Sequence, residues 1–120
     1  RQMCIRDRDW TMEELVAKGE GVYQMNCVAC HQVNGAGIPG IFPALAGSNI
    51  VLNNKPRNVE ILMEGVQGAA MQSFANQLSE VDMAAVITYT RRAWGNDAKG
   101  DGEIVVPKEI VEYKENKIKI

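Results

Sequence analysis

Five residues constrain this chain more than any others: Cys27-Val28-Ala29-Cys30-His31. Two cysteines three apart, followed at once by a histidine, form C-x-x-C-H, the pattern of covalent c-type haem attachment. The spacing has a chemical reason. Thiols at i and i+3 on one tight turn can each add to a vinyl group of the same porphyrin. The next residue then sets an imidazole under the iron as its proximal ligand. Cys27 and Cys30 are therefore predicted to hold one haem c, with His31 on the iron. Other uses of the motif are poorer fits. A redox dithiol wants a neighbouring βαβ pattern, which the sequence lacks. Structural zinc wants four ligands, yet His31 is the one histidine and Cys4 is the one further cysteine.

The remainder reads as a wrapper for that group. At 120 residues the chain holds one domain plus tails. A net charge of −2 points to no nucleic-acid partner. Residues 9–96 carry five Lys/Arg against eight Asp/Glu, a weak pointer to a partner with a basic face. No apolar run approaches the roughly 20 residues of a bilayer span, and no signal peptide is visible. Thioether attachment takes place outside the cytoplasm, so the expected location is the periplasm or the outer side of the bacterial inner membrane. Residues 1–8 are charged and read as a disordered or spurious N-terminus in which Cys4 has no role. The domain is expected over 9–96, with a C-terminal tail over 97–120.

Thr11-Met12-Glu13-Glu14 has the S/T-x-x-E pattern of a capping box. Leu15, Val16, Gly19, Val22, Tyr23 and Asn26 then fall near one helical face. Gly19 costs about 1 kcal/mol against Ala inside a helix and implies close approach of another helix. From Asn34 to Gly47, four glycines and two prolines prohibit a regular helix. Yet Ile38, Ile41, Phe42 and Leu45 are too apolar for a solvated linker, as if the loop wraps a flat apolar group. Pro56 suits a first helical turn, and Gly65 its end. Ser79 caps the next helix, whose apolar face carries Met83, Val86, Ile87, Thr90 and Trp94. Arg91 and Arg92 are expected to complement its dipole. The tail from Pro107 alternates Glu and Lys and reads as a marginal surface helix.

With no second histidine, methionine is the natural sixth ligand. Of six methionines, Met3 lies in the odd terminus, Met12 opens the first helix and Met25 is too near the attachment turn. Met63 and Met83 occupy helical positions, where methionine commonly fills core gaps. Met71 alone lies in a Gly/Ala-rich loop that lets a thioether project, so His31 and Met71 are the expected metal ligands.

These residues resemble a class I cytochrome c over 9–96. The likeness lies in a first helix with Gly19 and Tyr23, the attachment motif, Phe42-Pro43-Ala44-Leu45-Ala46-Gly47, the loop methionine and a last helix bearing Tyr89. It implies an all-α fold, three to four helices wrapped around one covalent haem. It also implies that the Pro43 carbonyl accepts the His31 imidazole N–H, which fixes the ring. Phe42 and Leu45 would shield the haem from water. Residues 35–47, 70–74 and 84–96, above all Trp94-Gly95-Asn96, are similar to the cytochrome c domain fused to subunit II of some bacterial cytochrome c oxidases. That resemblance implies a fragment of a membrane-anchored parent that takes electrons from a soluble donor and hands them to the oxidase copper centre. A free-standing periplasmic shuttle and the haem module of a dehydrogenase are the alternatives.

Overall fold

A computed structural model describes residues 10–38, 44–66, 71, 73–75 and 77–119. Helix α1 (Met12–Asn26) opens on the expected capping box. The Thr11 hydroxyl accepts the Glu14 N–H at 3.1 Å, and the Glu14 carboxylate accepts the Thr11 N–H at 3.0 Å. Its buried residues are Leu15, Gly19 and Tyr23, one residue per turn down a single stripe. A single helical turn, α2 (Val28–His31), follows almost without a break. Then come α3 (Asn49–Asn53), capped by Ser48, and α4 (Lys55–Glu64), capped by Asn54 with Pro56 in its first turn. The short α3 was not foreseen. Gly65 ends α4 at φ 75° with an extended ψ rather than in a left-handed helical cap.

Helix α5 (Glu80–Arg92) is the axis of the domain. Ser79 caps it by accepting the Asp82 N–H. The sequence predicts one apolar face, but the helix is buried on nearly every side, from Val81 and Met83 through Thr88 to Thr90 and Arg91. The reason is that two layers cover it. Helix α1 lies against one side, with Gly19 so close that an added Cβ would stand 2.1 Å from the Ala85 carbonyl oxygen. The other side is covered by the chain from residue 96 on: a 3-10 turn (Asn96–Ala98), an irregular stretch over 101–106, and α6 (Pro107–Lys119).

That last segment corrects two expectations. The helix from Pro107 is not a solvated surface element, since Ile110 is fully buried and joins Val105 in the main core with Tyr23, Phe74, Met83 and Ile87. Side chains on α5 hold the stretch before it. The Thr88 hydroxyl donates to the Val105 carbonyl and accepts the Val105 N–H, both at 2.9 Å. Arg91 is not a surface charge beside a dipole, for its side chain is 2% exposed. Its guanidinium donates to the Glu103 and Leu52 carbonyls and pairs with the Asp101 carboxylate, as a buried charge requires. That bond is also the main reason the Asp101 carboxyl lies below its ordinary range. Around the rim, Lys55–Glu109, Lys114–Glu80 and the bond from Tyr113 to Glu64 fasten α6 to α4 and α5. Among the described residues no helix is long and apolar enough to cross a membrane.

Candidate haem centre

The attachment turn grows directly out of α1. The Cys27 N–H still donates to Tyr23, the His31 N–H to Cys27 and the Gln32 N–H to Val28. Cys27 and His31 are half-buried, and Cys27 packs with Val28 against the main core. Cys30 lies on the same turn, with its side chain outside the described residues. Among the described residues no three Cys, His, Asp or Glu side chains form a metal cage.

Immediately after His31 the backbone takes a costly form. Gln32 has φ 69° and ψ 163°, a region populated essentially by glycine and worth about 1–3 kcal/mol of strain elsewhere. Two aromatic residues hold it there. The Tyr23 hydroxyl donates to the Gln32 carbonyl at 2.6 Å, and the Trp94 indole N–H donates to the next carbonyl, Val33, at 2.9 Å. The rings themselves touch. Tyr23 and Trp94 have centroids 5.2 Å apart, and Tyr89 completes the trio at 5.5 and 5.7 Å. Burial, with Cys27 and Tyr89 adding to it, pushes the Tyr23 phenol far above its ordinary range, so it remains a donor. Trp94 also lies on Gly35, where a Cβ would fall 2.5 Å from the indole. Gly35 has φ +70°, so this position needs glycine both for space and for conformation.

The loop returns to the same place. The N–H groups of Leu45 and Ala46 both donate to the Gly35 carbonyl, at 2.7 and 3.0 Å. Asn96 locks that return. Fully buried, it donates to the Leu45 and Thr90 carbonyls and accepts the Gly47 N–H at 2.8 Å. Leu45 is half-buried and packs on the core. Phe42 and Pro43, the other loop residues expected at the site, lie outside the described residues.

Met71 is half-buried and meets the same core cluster as Cys27, Val28 and Leu45. Its loop is tied to the end of α4: the Met71 carbonyl accepts the Val66 N–H, the Phe74 N–H donates to Leu62, and the Ser73 hydroxyl donates to the Met63 carbonyl. The other methionines divide as the sequence suggests, with Met63 and Met83 in the core and Met25 86% exposed. Phe74, 4% exposed, adds an aromatic wall.

The donor chemistry fits a covalent haem. Cys27 and Cys30 share one turn, the single imidazole follows, and a thioether from a separate loop borders the same apolar cluster. Sequence reasoning missed the Tyr23 hydroxyl, Asn96 and Arg91 as organising groups. A polar Asn directly after the turn glycine Gly95 was the available signal for Asn96.

An all-α scaffold with a C-x-x-C-H turn at the junction of α1 and α2 defines the class of c-type cytochromes. The chain belongs to the family described as cytochrome c oxidase, cbb3-type, subunit III, whose profile matches residues 14–89, more than half its length. It is thus a class I cytochrome c domain that carries one covalent haem c and serves electron transfer. The chain is 38% identical over 100 residues to cytochrome c-552 of Thermus thermophilus, covering 72% of this chain and 75% of that one. It is 35% identical over 92 residues to the cytochrome c subunit of the quinone-dependent alcohol dehydrogenase of Gluconobacter oxydans. There it covers 68% of this chain but spans only 19% of the relative. Among solved structures, cytochrome cL from Hyphomicrobium denitrificans is similar at a TM-score of 0.48 and 23% identity, covering 82% of this chain and 64% of that one.

Proposed function

We propose that this domain passes single electrons through a haem c bonded to Cys27 and Cys30 and ligated by His31 and Met71. The observation that carries the reading is that a thiol of the attachment turn and the loop methionine border one apolar cluster. The haem supplies the one-electron couple, and a methionine ligand with burial favours its reduced state. The protein's own part is to fix two ligands and exclude water. Tyr23, Trp94 and Asn96 hold the turn and its loop, α4 holds the Met71 loop, and Leu45, Phe74 and Val28 supply apolar lining. In line with the resemblance above, Pro43 would accept the imidazole N–H and Phe42 would add to the lining. No general acid, base or nucleophile is needed, because no bond is made or broken.

Two partners are supported by different observations. The likeness of residues 84–96 to oxidase subunit II domains favours delivery to an oxidase copper centre in a membrane-anchored parent. The 35% identity to a dehydrogenase cytochrome subunit favours a haem module that accepts electrons from a dehydrogenase. Either partner is in keeping with a domain that works outside the cytoplasm, in or facing the periplasm. The unit carrying the function is proposed to be residues 9–96, with 97–120 as its C-terminal extension.

The test is spectroscopic. Protein made in a host competent for haem attachment gives a pyridine haemochrome spectrum of covalent haem, and Met71→Ala abolishes the methionine–Fe(III) charge-transfer band while Met63→Ala retains it. A protein without covalent haem would overturn the reading, and the opposite behaviour of the two variants would move the ligand to Met63. Rapid mixing of the reduced protein with an oxidase, and of the oxidised protein with a reduced dehydrogenase, separates the two partners.

A further inference from the structure

We propose that the Tyr23 hydroxyl and the Trp94 indole N–H are positioning groups for His31, holding the two carbonyls that follow it so that the imidazole is presented at one fixed angle. The inference rests on the reading of His31 as an iron ligand. Four observations meet here. Gln32 and Val33 are the two residues after His31, and their carbonyls are gripped by donors from two different helices, Tyr23 of α1 and Trp94 just past α5. The gripped stretch contains Gln32, one of two non-glycine residues with positive φ among the described residues, Trp94 itself being the other; Gln32 would leave its glycine-like conformation if released. The two gripping rings contact each other and Tyr89, so the helix crossing and the turn form one unit. Finally, the His31 carbonyl is itself engaged by the Gly37 N–H at 3.0 Å, and the Gln32 carbonyl also accepts Gly35 at 3.1 Å. The segment 31–37 is thereby a closed loop, and the two aromatic donors fasten it by side-chain bonds to the rest of the fold.

A purely structural role for Tyr23 would cost stability and nothing more. A positioning role makes the iron ligand sense the loss. The closing experiment uses Tyr23→Phe, which keeps the ring and removes only the hydroxyl. The control is Thr88→Val, which removes the hydroxyl paired with Val105 on the far side of α5. In the haem-loaded protein, Tyr23→Phe is expected to lower the reduction potential and shift the His31 ring-proton resonances of the ferric form. Amide exchange at Gly35 should quicken about fivefold, the effect of one lost hydrogen bond. Thr88→Val is expected to lower the melting temperature without moving the potential or the resonances. A second variant, Gln32→Gly, relieves the backbone and leaves both donors and both carbonyls in place: the melting temperature holds or rises while the potential and the His31 resonances stay at the parent's values.

If Tyr23→Phe leaves the potential and the His31 resonances where Thr88→Val leaves them, the positioning role is wrong. Should the parent protein itself carry no covalent haem, the functional reading fails and this inference with it. Parent haem present with a silent Tyr23→Phe fails the inference alone.

Discussion

Replacing Gly19 by alanine tests the packing on which the haem turn rests. A Cβ at this position would stand 2.1 Å from the Ala85 carbonyl oxygen, 2.6 Å from its carbonyl carbon and 2.7 Å from the Tyr89 Cβ. Two of these neighbours are backbone and cannot swing aside. To restore van der Waals contact, α1 and α5 must part by about 1 Å at their closest point. Alanine is the better helix former by about 1 kcal/mol, which works against the loss. Overpacking costs about 1–3 kcal/mol, and each loosened aromatic pair in the Tyr23, Tyr89 and Trp94 trio costs a further 0.5–1.5 kcal/mol or so. Packing wins, and Gly19→Ala is expected to destabilise the domain by about 2 kcal/mol, a fall of roughly 10 °C in melting temperature. Gly21 supplies the internal control. It sits two residues on in the same helix, exposed, with nothing within 4 Å of an added Cβ. Gly21→Ala should therefore stabilise by about 0.5–1 kcal/mol. Urea unfolding of both variants, read by helical circular dichroism, makes the comparison. If Gly19→Ala raised the midpoint as Gly21→Ala does, the close helix crossing would be refuted.

Two further outcomes follow from buried polar groups. Asn96→Ala strands the Gly47 N–H and the Leu45 and Thr90 carbonyls, so it is expected to cost about 2–4 kcal/mol, with faster amide exchange concentrated at Leu45, Ala46 and Gly47. Exchange mapped by NMR that was uniform along the chain would contradict this. The bond from Arg91 holds the Asp101 carboxyl below its ordinary value. A depressed folded value means the pair's stabilisation is fully present above the unfolded aspartate range near pH 4 and is lost as pH falls through the folded value. Asp101→Asn should accordingly be less stable than the parent at neutral pH, with the gap closing in acid. A gap independent of pH, measured by denaturant unfolding from pH 7 to 3, would count against the ion pair.

Local chemistry explains which parts could be read in advance. Thr11 with Glu14, Ser79 with Asp82 and Pro56 each act within one helical turn, so their capping roles are complete in a few letters. Gly19 announced a close neighbour because a mid-helix glycine has little other reason to exist. The attachment turn was likewise visible from residue type alone. What escaped were bonds between distant segments. Arg91 looks like any cation near a helix end, and only its partners at Leu52, Asp101 and Glu103 make it a buried anchor. The tail alternates charge along α6, which hides that Ile110 faces inward. Gln32 carries no sign of its positive φ, because the cause lies in donors from Tyr23 and Trp94 rather than in its own side chain.

The pairing of Gly19 with Ala85 also dictates an order of assembly. Helix α1 has its buried stripe matched by a helix far along the chain, and α5 in turn is roofed by Val105 and Ile110 near the end. Contacts of such separation form only after the intervening loop has been closed, at an entropic cost. Until α5 has docked, α1 has no partner along its buried stripe and the Cys27–His31 stretch lacks the scaffold that Trp94 supplies. Docking of α5, with Val105 and Ile110 over it, then completes the core that Cys27 and Val28 border. The same long-range crossing that stabilises the finished domain is thus among the last contacts to form, and the attachment turn gains its final shape only with it.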